Sequence, residues 1–251
     1  MTTAIIDGDT LAWLAALRAE STADFGSTGI ARVADMDTAK AEVRSQVEAI
    51  RDHTKADAIV MTLSCPTRVY WRMKIWPTYK QHRAGGVKPV ALGKVKEWMA
   101  TKSNCYVRPQ LEADDVVGIL ATSKKIPGKK IIVSSDKDLK QIPGTHFNPN
   151  FPEGGLFEVT PEEGRRWHLM QTLMGDQVDG FPGCPGVGPK KAEAALKQGT
   201  WAEVVAVFDA KKLTEEDALV QARVARILTH SDWDYKKKEP KLWQPPRPSG
   251  K

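Results

Sequence analysis

Short apolar runs alternate with amphipathic helical patterns along the first two thirds of the chain. Four apolar runs predict β-strands: Ala4–Ile6, Ala58–Leu63, Cys105–Val107 and Lys130–Ser134. Three longer segments between them predict α-helices: Asp37–His53, Pro89–Thr101 and Glu112–Ser123. Such alternation is typical of an α/β fold, so we expect a mostly parallel central sheet flanked by helices.

The pattern becomes helical throughout from Pro161 onward. Further helices are predicted at Pro161–Gly175, Lys190–Gln198, Trp201–Phe208 and Thr214–His230. This change predicts an α/β domain over residues 1–155 and a helical region over residues 156–235. Residues 236–251 are rich in lysine and proline, and this composition predicts an extended basic tail.

Charge is unevenly distributed along the sequence, which has a net charge of +6. No acid lies between Asp57 and Glu97, although that stretch contains eight Lys and Arg residues. The acids are grouped elsewhere in short clusters: Asp7/Asp9, Glu112/Asp114/Asp115, Asp136/Asp138 and Asp176/Asp179. Positive net charge alone is weak evidence for nucleic-acid binding, but this segregation indicates two surfaces of opposite charge.

Several protein classes do not fit the sequence. The three cysteines, Cys65, Cys105 and Cys184, are widely spaced and form no CxxC pair, which argues against a disulfide framework or a zinc site and fits a reducing cytoplasm. No stretch approaches the roughly 20 apolar residues that a membrane helix needs. The amino terminus lacks the pattern of a secretory signal. We therefore expect a cytoplasmic protein without a membrane partner.

Carboxylates follow three of the four predicted strands. Asp7 comes directly after the first strand, and Asp136 and Asp138 follow the last. Glu112 and Asp114 open the helix after the third. Parallel sheets bind ligands beyond the carboxyl ends of their strands, and clustered carboxylates need cations to neutralise them. The pattern predicts a site for two or more Mg²⁺ or Mn²⁺ ions, whereas the alternative is a set of ordinary turn and helix-start acids.

A glycine-rich loop, Gly183–Ala192, leads directly into a predicted helix. It reads Gly-Cys-Pro-Gly-Val-Gly-Pro-Lys-Lys-Ala. Free backbone N–H groups of a glycine turn and a helix start can face one phosphate, and two lysines add positive charge there. The loop resembles the helix-hairpin-helix motifs that bind nucleic-acid backbone. The alternative is a plain connection between helices.

Aromatic and basic residues interleave in Val69–Arg83, which reads Val-Tyr-Trp-Arg-Met-Lys-Ile-Trp-Pro-Thr-Tyr-Lys-Gln-His-Arg. Aromatic rings can stack on unpaired bases while cations neutralise phosphates, so the segment is a candidate DNA-binding surface. The alternative is a surface helix with an aromatic core face. That alternative suits Trp71 better than Tyr79.

Five motifs carry a resemblance to a known family. In chain order they are Ile-Ile-Asp7-Gly-Asp9, Tyr79-Lys80-x-x-Arg83, Leu-Glu112-Ala-Asp114-Asp115, Ser-Ser-Asp136-Lys-Asp138-Leu and Gly175-Asp176-x-x-Asp179-Gly-x-x-Gly-x-Pro-Gly-x-Gly-Pro-Lys190. Their order resembles the 5′-nuclease (flap endonuclease) family, most of all its phage exonucleases. The family includes the 5′–3′ exonuclease domain of bacterial DNA polymerase I. The resemblance spans residues from about 4 to about 230 and implies a PIN-like fold with a carboxyl-terminal helix-three-turn-helix region.

The resemblance also implies roles for individual residues. The acids at metal-coordinating positions are Asp7, Glu112, Asp114, Asp136, Asp138 and Asp176, with Asp115 and Asp179 helping directly or through water. Lys80 and Arg83 stand where the family has cations that engage the scissile phosphate, and Arg72 matches an arginine nearby. Tyr79 is expected to contact DNA. The loop over residues 183–191 is expected to bind duplex backbone, with help from K⁺, through Gly183, Gly186, Gly188, Lys190 and Lys191. Asp9 is harder to place.

Two features depart from the family pattern. Most members have an acid where the second strand ends, whereas this sequence has Leu63-Ser64-Cys65. A neutral thiol there implies weaker metal binding or a metal held through water. The basic, arch-like segment near residues 66–88 is also short, so any helical arch over the site must be small.

We therefore expect a divalent-metal-dependent 5′–3′ exonuclease or structure-specific 5′ nuclease of phage or bacterial DNA replication and repair. Its partner would be DNA with a 5′ end, and it would act as a monomer in the cytoplasm, or in the host cytoplasm if phage-encoded. One alternative is a PIN-type ribonuclease, which would not need the loop at residues 183–191. The other is a catalytically weak protein that binds DNA structures.

Overall fold

A computed structural model describes residues 1–246 of the protein, without the side chain of Ala84. The strands in chain order are β1 (Thr2–Asp7), β2 (Glu20–Asp24), β3 (Ile30–Ala34), β4 (Ala58–Leu63), β5 (Cys105–Val107), β6 (Lys129–Val133), β7 (Gly144–Phe147), β8 (Leu156–Val159), β9 (Trp233–Asp234) and β10 (Glu239–Pro240). The α-helices are α1 (Gly8–Arg18), α2 (Met36–Thr54), α3 (Leu92–Ala100), α4 (Ala113–Ala121), α5 (Pro161–Met174), α6 (Pro189–Ala195), α7 (Trp201–Asp209) and α8 (Glu215–Ala225). The short 3₁₀ helices are Gly26–Thr28, Trp71–Lys74, Gln81–Gly85, Lys137–Gln141, Pro152–Gly154 and His230–Asp232.

A six-stranded sheet in the order β5-β4-β1-β6-β7-β8 forms the centre of the molecule. The first five strands of this order run parallel, and β8 pairs antiparallel with β7. Asp7 lies opposite Thr62, and Ile6 lies opposite Val133, so the carboxyl ends of β1, β4 and β6 are level. The predicted α/β fold with a mostly parallel sheet is confirmed.

Helices cover both faces of the sheet, which explains why its central strand is apolar on both sides. Ala4 and Ile6 of β1 pack against α1, α2 and α3, whereas Ile5 packs with Val117 of α4 and with Ile227. Gly8 begins α1 where that helix meets β4, and a Cβ there would lie 2.6 Å from the backbone oxygen of Thr62. This close approach fixes the start of α1 at the sheet edge.

Helices α5 to α8 form a second core around Leu173, Val204 and Phe208. Each of α5, α7 and α8 begins at a threonine that forms a capping box, in which the threonine and an acid three residues later bind each other's backbone N–H groups. Helices α5 to α8 thus follow β8 along the chain, and α8 ends at Ala225 rather than near His230.

Most of the predicted helices and strands lie within a few residues of their observed positions. Strands β4 and β5 have the bounds predicted from the sequence. The patterns missed α1, the β2–β3 hairpin and the strands β7 and β8. Because β8 joins the sheet and ends at Val159, the boundary expected at residue 155 is wrong. No helix among residues 1–246 is long and apolar enough to cross a membrane.

The carboxyl-terminal tail was predicted to be extended from residue 236, and this is wrong for its first part. Strands β9 and β10 form a short hairpin, and the Trp243 ring packs edge-on against His168 and Trp201. The backbone oxygen of Trp243 also accepts a hydrogen bond from Arg223. Apolar side chains in the tail thus attach it to α5, α7 and α8, and residues 247–251 lie outside the described part of the chain.

Candidate active site

Aspartates cap the turns that leave two central strands of the sheet. Asp7 ends β1 and caps α1, because its carboxylate accepts hydrogen bonds from the backbone N–H of Asp9 and the hydroxyl of Thr10, both at 3.0 Å. Asp136 follows β6 and accepts a 2.8 Å hydrogen bond from the backbone N–H of Asp138. These local bonds fix both carboxylates at the carboxyl edge of the sheet.

The start of α4 adds three acids to this edge. Glu112 is the amino-terminal cap residue, and Asp114 and Asp115 lie in the first turn, where the helix dipole favours negative charge. Helix α4 is held beside β4 because the hydroxyl of Thr62 and the hydroxyl of Ser64 bind the backbone of Ala113. We call the acids that meet here the acid array: Asp7, Glu112, Asp114, Asp115, Asp136, Asp138, Asp176 and Asp179.

A buried arginine neutralises one side of the acid array. The Arg72 guanidinium, 2% exposed, donates to Asp115 Oδ1 at 2.8 Å and to Asp115 Oδ2 and Glu112 Oε2 at 2.7 Å. Trp71 Nε1 also donates to Asp115 Oδ2. Burial alone would lower the pKa of Arg72, but the charges of Asp115 and Glu112 outweigh it and raise that pKa.

These contacts correct two sequence-based assignments. Arg72 was expected near the scissile phosphate, but it is buried and its donors are taken by carboxylates and by the backbone oxygens of Val224 and Arg226. Asp115 was expected to help hold metal, but it is fully buried and both its oxygens accept protein hydrogen bonds. Both residues join α4 to the segment after α8, and their role is structural.

The other side of the acid array carries uncompensated negative charge. Burial, Asp9 and Asp136 raise the pKa of Asp7 to about 6. Burial and Asp136 raise the pKa of Asp138 to about 7. Burial, Asp7 and Asp136 raise the pKa of Asp114 well above its usual value. Carboxylates that raise one another's pKa in this way have less positive charge around them than their number requires, so this part of the array is suited to accept a cation.

The uncompensated carboxylates fit a hard divalent cation. Asp114 Oδ1 is buried and has no hydrogen-bond partner, which is costly unless something else binds it. All the atoms that could bind a metal here are carboxylate oxygens, the ligands that Mg²⁺ and Mn²⁺ prefer. Among residues 1–246, no three Asp, Glu, His or Cys side chains converge into a ready-formed metal cage. The charges of these acids nevertheless act on one another, which shows that Asp7, Asp114, Asp136 and Asp138 are near neighbours.

Lys80 and Arg83, the predicted phosphate-binding cations, lie at one border of the array. The Lys80 ammonium binds Glu112 and lies 3.3 Å from Asp179 Oδ1. Burial alone would lower the pKa of Lys80, and the charges of Glu112 and Asp179 reverse the shift and raise it. Arg83 is exposed and donates to Asp179 Oδ1 at 2.7 Å. Both residues are close to the acids, as a role at the phosphate requires.

Tyr79 does not fulfil its predicted role. It is 2% exposed, and its hydroxyl oxygen lies within hydrogen-bond distance of Glu112 Oε2 at 2.9 Å and of Asp179 Oδ2 at 2.7 Å. A ring buried in this way cannot stack on a base, so the assignment of Tyr79 to DNA binding is wrong. The basic segment at residues 66–88 contains only 3₁₀ helices, and it packs onto the core through Trp71 and Tyr79 instead of arching over the site.

Two polar residues at the array were not found from the sequence. Lys137 lies between two predicted metal ligands, with Nζ 3.0 Å from Asp176 Oδ2 and 3.8 Å from Asp138 Oδ1. Gln171 of α5 donates to Asp138 Oδ1 at 2.7 Å. Lys137 could have been found from the sequence, because it stands between Asp136 and Asp138. Nothing in the sequence connects Gln171 to Asp138, which lies 33 positions earlier.

Asp9 and Cys65, the two least certain candidates, lie in different surroundings. Asp9 forms a 2.8 Å ion pair with Lys96 of α3 and accepts a hydrogen bond from the backbone N–H of Ser64. Cys65 is buried, and its thiol lies 3.1 Å from the hydroxyl of Thr67. Although burial alone would raise it, hydrogen bonds with Thr67 and Gln110 lower the pKa of Cys65. The thiol contacts a hydroxyl, and the residue that binds the start of α4 is Ser64.

The glycine-rich loop divides into a buried and an exposed part. Gly183 (φ 63°) packs against Gly175, where a Cβ would lie 2.2 Å from backbone nitrogen, and its N–H binds Gln221. Gly183 is thus a packing residue, contrary to its predicted contact with phosphate. Gly186 (φ 74°) and Gly188 are exposed and open to solvent.

The two lysines of the loop are exposed beside these glycines. Lys190 and Lys191 lie in the first turn of α6, and Lys191 Nζ donates to the backbone oxygen of Gly186 at 2.9 Å. Asp176 and Asp179 lie in the turn that leads from α5 into the same loop, where Asp176 bridges to Phe181. The structure therefore connects the acid array to the loop through one short segment.

The chain is similar to known nucleases over most of its length. A family model described as 5′-3′ exonuclease, N-terminal resolvase-like domain, matches residues 2–149. An exodeoxyribonuclease of Enterobacteria phage T3 is 28% identical, over 96% of this chain and 92% of the relative. The flap endonuclease Xni of Shewanella sp. (strain W3-18-1) is 31% identical, over 64% of this chain and 69% of the relative.

A solved structure shares the fold. The D15 flap endonuclease of bacteriophage T5, in a pseudo-enzyme-product complex with DNA and metal ions, matches with a TM-score of 0.63. The match covers 90% of this chain and 89% of the T5 chain at 14% sequence identity. Similarity at this level of identity supports the predicted PIN-like fold.

Proposed function

The chain belongs to the 5′–3′ exonuclease family, as its motifs predicted, and we propose that it is a divalent-metal-dependent 5′ nuclease that hydrolyses DNA phosphodiester bonds at or near 5′ ends. The observation that carries the proposal is the uncompensated part of the acid array. Asp114 keeps a buried carboxylate oxygen without a partner beside Asp7 and Asp136, at the edge of the sheet where such folds bind ligands.

We assign the metal-holding role to Asp7, Asp114, Asp136 and Asp138, with Asp176 and Asp179 beside them. Bound Mg²⁺ or Mn²⁺ supplies a Lewis acid for the phosphate and lowers the pKa of water. Glu112 supports the array indirectly, because Arg72, Tyr79 and Lys80 bind its carboxylate oxygens. Two or more ions match the number of uncompensated carboxylates.

Lys80 and Arg83 would bind the phosphate that is cleaved. Their cationic groups lie against Glu112 and Asp179, at the border of the array. A phosphate approaching the acids brings its own negative charge, so it competes with these carboxylates for the two cations. A cation held at that position stabilises charge that increases in the transition state.

The exposed part of the glycine-rich loop would bind the backbone of duplex DNA. Gly186, Gly188, Lys190 and Lys191 offer open backbone and positive charge at the start of α6. Backbone oxygens of such a loop are also suitable ligands for K⁺. Contacts of this kind are independent of sequence and weaken with salt, as a nuclease that recognises DNA ends requires.

The expected substrate is DNA with a 5′ end, as an overhang, nick, blunt end or flap. Relatives include a phage exodeoxyribonuclease and a bacterial flap endonuclease, so both modes of cleavage occur among similar proteins. We propose that it acts in phage or bacterial DNA replication and repair. Action as a monomer in the cytoplasm remains a prediction.

Cleavage of a substrate panel tests the proposal. Labelled blunt duplex, 5′ overhang, nicked duplex, 5′ flap and an RNA hairpin are each incubated with Mg²⁺ or with EDTA. We expect short products from the 5′ ends of DNA in Mg²⁺ alone. Asp114→Asn is expected to abolish them, whereas the control Asp37→Asn, at an exposed position of α2, keeps them.

Other outcomes separate the alternatives. Cleavage of the RNA hairpin without cleavage of DNA would overturn the proposal and favour a PIN-type ribonuclease. Structure-dependent DNA binding without cleavage in either Mg²⁺ or Mn²⁺ would favour a catalytically weak binding protein. An Asp114→Asn variant with normal turnover would show that the acid array is not the active site.

A further inference from the structure

A cavity of about 200 Å³ lies between α1, α2 and the sheet, directly beside the acid array. Asp7 and Ser134, at the carboxyl ends of β1 and β6, form part of its wall. Asp7 Oδ2 accepts a 3.4 Å hydrogen bond from the Ser134 hydroxyl, and the charge of Asp136 acts on the same carboxylate, so Asp7 borders both the cavity and the array. Ordinary ligand pockets measure roughly 300–1,000 Å³, so this one has room for one ring system and not for a base pair.

Much of the cavity wall is apolar. Leu11 and Leu14 of α1 face it from one side, Ile50 of α2 from another, and Phe147 of β7 from the sheet. The Phe147 ring stacks on His53 with 5.5 Å between ring centroids. Aliphatic and aromatic walls of this kind accommodate the faces of a planar ring.

One hydrogen-bond donor in the wall has no partner. Gln46 Nε2 of α2 is buried and makes no hydrogen bond among residues 1–246. An unsatisfied buried amide typically costs about 1–3 kcal/mol, so such a group calls for a ligand or another explanation. Because the Gln46 side chain lines the cavity, rotation of its amide would present this donor to a ring nitrogen or carbonyl oxygen on a ligand there.

We propose that this cavity binds the unpaired base of the nucleotide whose phosphate lies at the acid array. Bases are planar, have apolar faces and carry ring-nitrogen or carbonyl acceptors along their edges, and these properties match the apolar walls and the Gln46 donor. The inference rests on the proposed function, because it is the metal-bound phosphate that brings the base to Asp7.

An anion fits the cavity less well than a base. Asp7 contributes negative charge to the wall. Arg18, which also lines the cavity, is paired with Glu42. A phosphate group would therefore meet a carboxylate without a free cation to offset it. The phosphate belongs on the array side of Asp7 and the base on the cavity side.

Direct binding tests the base-binding site without any cleavage. The affinity of the protein in Mg²⁺ for dAMP is compared by calorimetry with its affinity for 2-deoxyribose 5-phosphate, which lacks the base. We expect dAMP to bind about tenfold more tightly, since contacts to one base are commonly worth 1–3 kcal/mol. Equal affinities would overturn the proposal.

Two substitutions test whether the difference in affinity between dAMP and 2-deoxyribose 5-phosphate arises in the cavity. Gln46→Leu removes the donor at similar volume, and Leu14→Trp fills the space. Both are expected to bring the affinity for dAMP close to that for 2-deoxyribose 5-phosphate, whereas Ser45→Ala, at the adjacent exposed position, keeps the tenfold difference. If both variants fold and retain the difference, the base binds elsewhere and the proposal fails. Gln46→Leu removes an unsatisfied donor, so it is expected to keep its unfolding temperature even if Leu14→Trp does not fold.

Cleavage then separates this inference from the proposed function. Duplexes with a normal or an abasic 5′-terminal nucleotide are compared under single-turnover conditions. The parent is expected to discriminate between them and Gln46→Leu to do so less. Equal cleavage of both substrates by the parent would refute the base site and leave the nuclease intact. Absence of all cleavage would refute the proposed function, and dAMP binding would still decide whether a base-binding site exists.

Discussion

Asp114 and Asp115 are adjacent acids in the first turn of α4, yet the fold gives them opposite surroundings. Successive residues of a helix point about 100° apart, so the two carboxylates face different sides. Asp115 faces Arg72 and Trp71, which satisfy both its oxygens. Asp114 faces Asp7 and Asp136 and keeps one buried oxygen without a partner.

The two sides of the acid array differ in the same way, in how much positive charge the protein places beside the acids. On the Arg72 side, the protein supplies its own buried cation, and the acids hold α4 to the segment after α8. On the Asp114 side, the protein supplies too little positive charge, which costs stability and leaves a place for metal. The same residue type is thus paired or unpaired according to the cation within reach.

The largest expected effect is a difference in unfolding free energy between variants of Asp115 and of Asp114. Asp115→Asn is expected to lower the free energy of unfolding by about 3–5 kcal/mol, because it removes a charge partner of a fully buried arginine. Asp114→Asn relieves repulsion, so it is expected to leave the metal-free protein equally stable or more stable. Urea unfolding in EDTA measures both. Equal destabilisation by the two substitutions would break the comparison.

Lys80 supplies positive charge at the border between the two sides. We expect Lys80→Ala to slow single-turnover cleavage by about 10²–10³, since a cation at the phosphate acts mainly on the transition state. The affinity for DNA should change much less. Lys74→Ala, an exposed lysine of the same segment, serves as the control. An unchanged rate at saturating enzyme would remove Lys80 from the reacting phosphate.

The pH dependence of stability should have opposite signs on the two sides. The pKa of Asp138 is raised from 3.8 to about 7, so its contribution to metal-free stability is present below pH 4 and is lost as the pH rises to 7. Although burial alone would raise it, Lys80 and Arg72 lower the pKa of Glu112, so its contribution is present at neutral pH and is lost on acidification.

Subtracting the pH–stability curve of the parent from that of a variant isolates the contribution of one carboxylate. Between pH 5 and 7, the stability of Asp138→Asn relative to the parent is expected to increase by up to about 1.4 kcal/mol per pH unit. Burial lowers the pKa of His168 to about 3, which gives a slope of opposite sign, but that slope is common to both proteins and cancels. Saturating Mg²⁺ should remove the difference. A flat difference curve in EDTA would contradict the raised pKa of Asp138.

The smallest expected effect concerns Lys137, which lies between Asp138 and Asp176. Removing it with Lys137→Ala removes a cation that competes with metal, so Mn²⁺ should bind more tightly. Because the lysine side chain is 56% exposed, its ion pairs are screened, and we expect an increase of about two- to fivefold. Calorimetric titration with Mn²⁺ checks this, with the exposed Lys140→Ala as control. Weaker binding would show that Lys137 supports the metal site.

The sequence by itself determined the identity and order of the elements that carry the site. Strand β4 and helix α5 were predicted because apolar runs and hydrophobic periodicity involve only a few neighbouring positions. Asp7, Asp114 and Asp136 were found because strand ends of a parallel sheet meet at one edge. The family motifs pointed to the same residues. All of these signals are local or ordered along the chain.

Only the tertiary structure decided which charged residues are buried in ion pairs and which keep unpaired atoms. Arg72 and Tyr79 belong to an aromatic and basic segment whose sequence predicts a DNA-binding surface. In the structure, both side chains are buried against carboxylates. Asp115 could not be distinguished from Asp114 by sequence, because its partner Arg72 is 43 positions away. The cavity beside Asp7 likewise depends on how α1 and α2 pack onto the sheet. Burial and electrostatic pairing depend on three-dimensional neighbours, and no pattern along one chain specifies those distances.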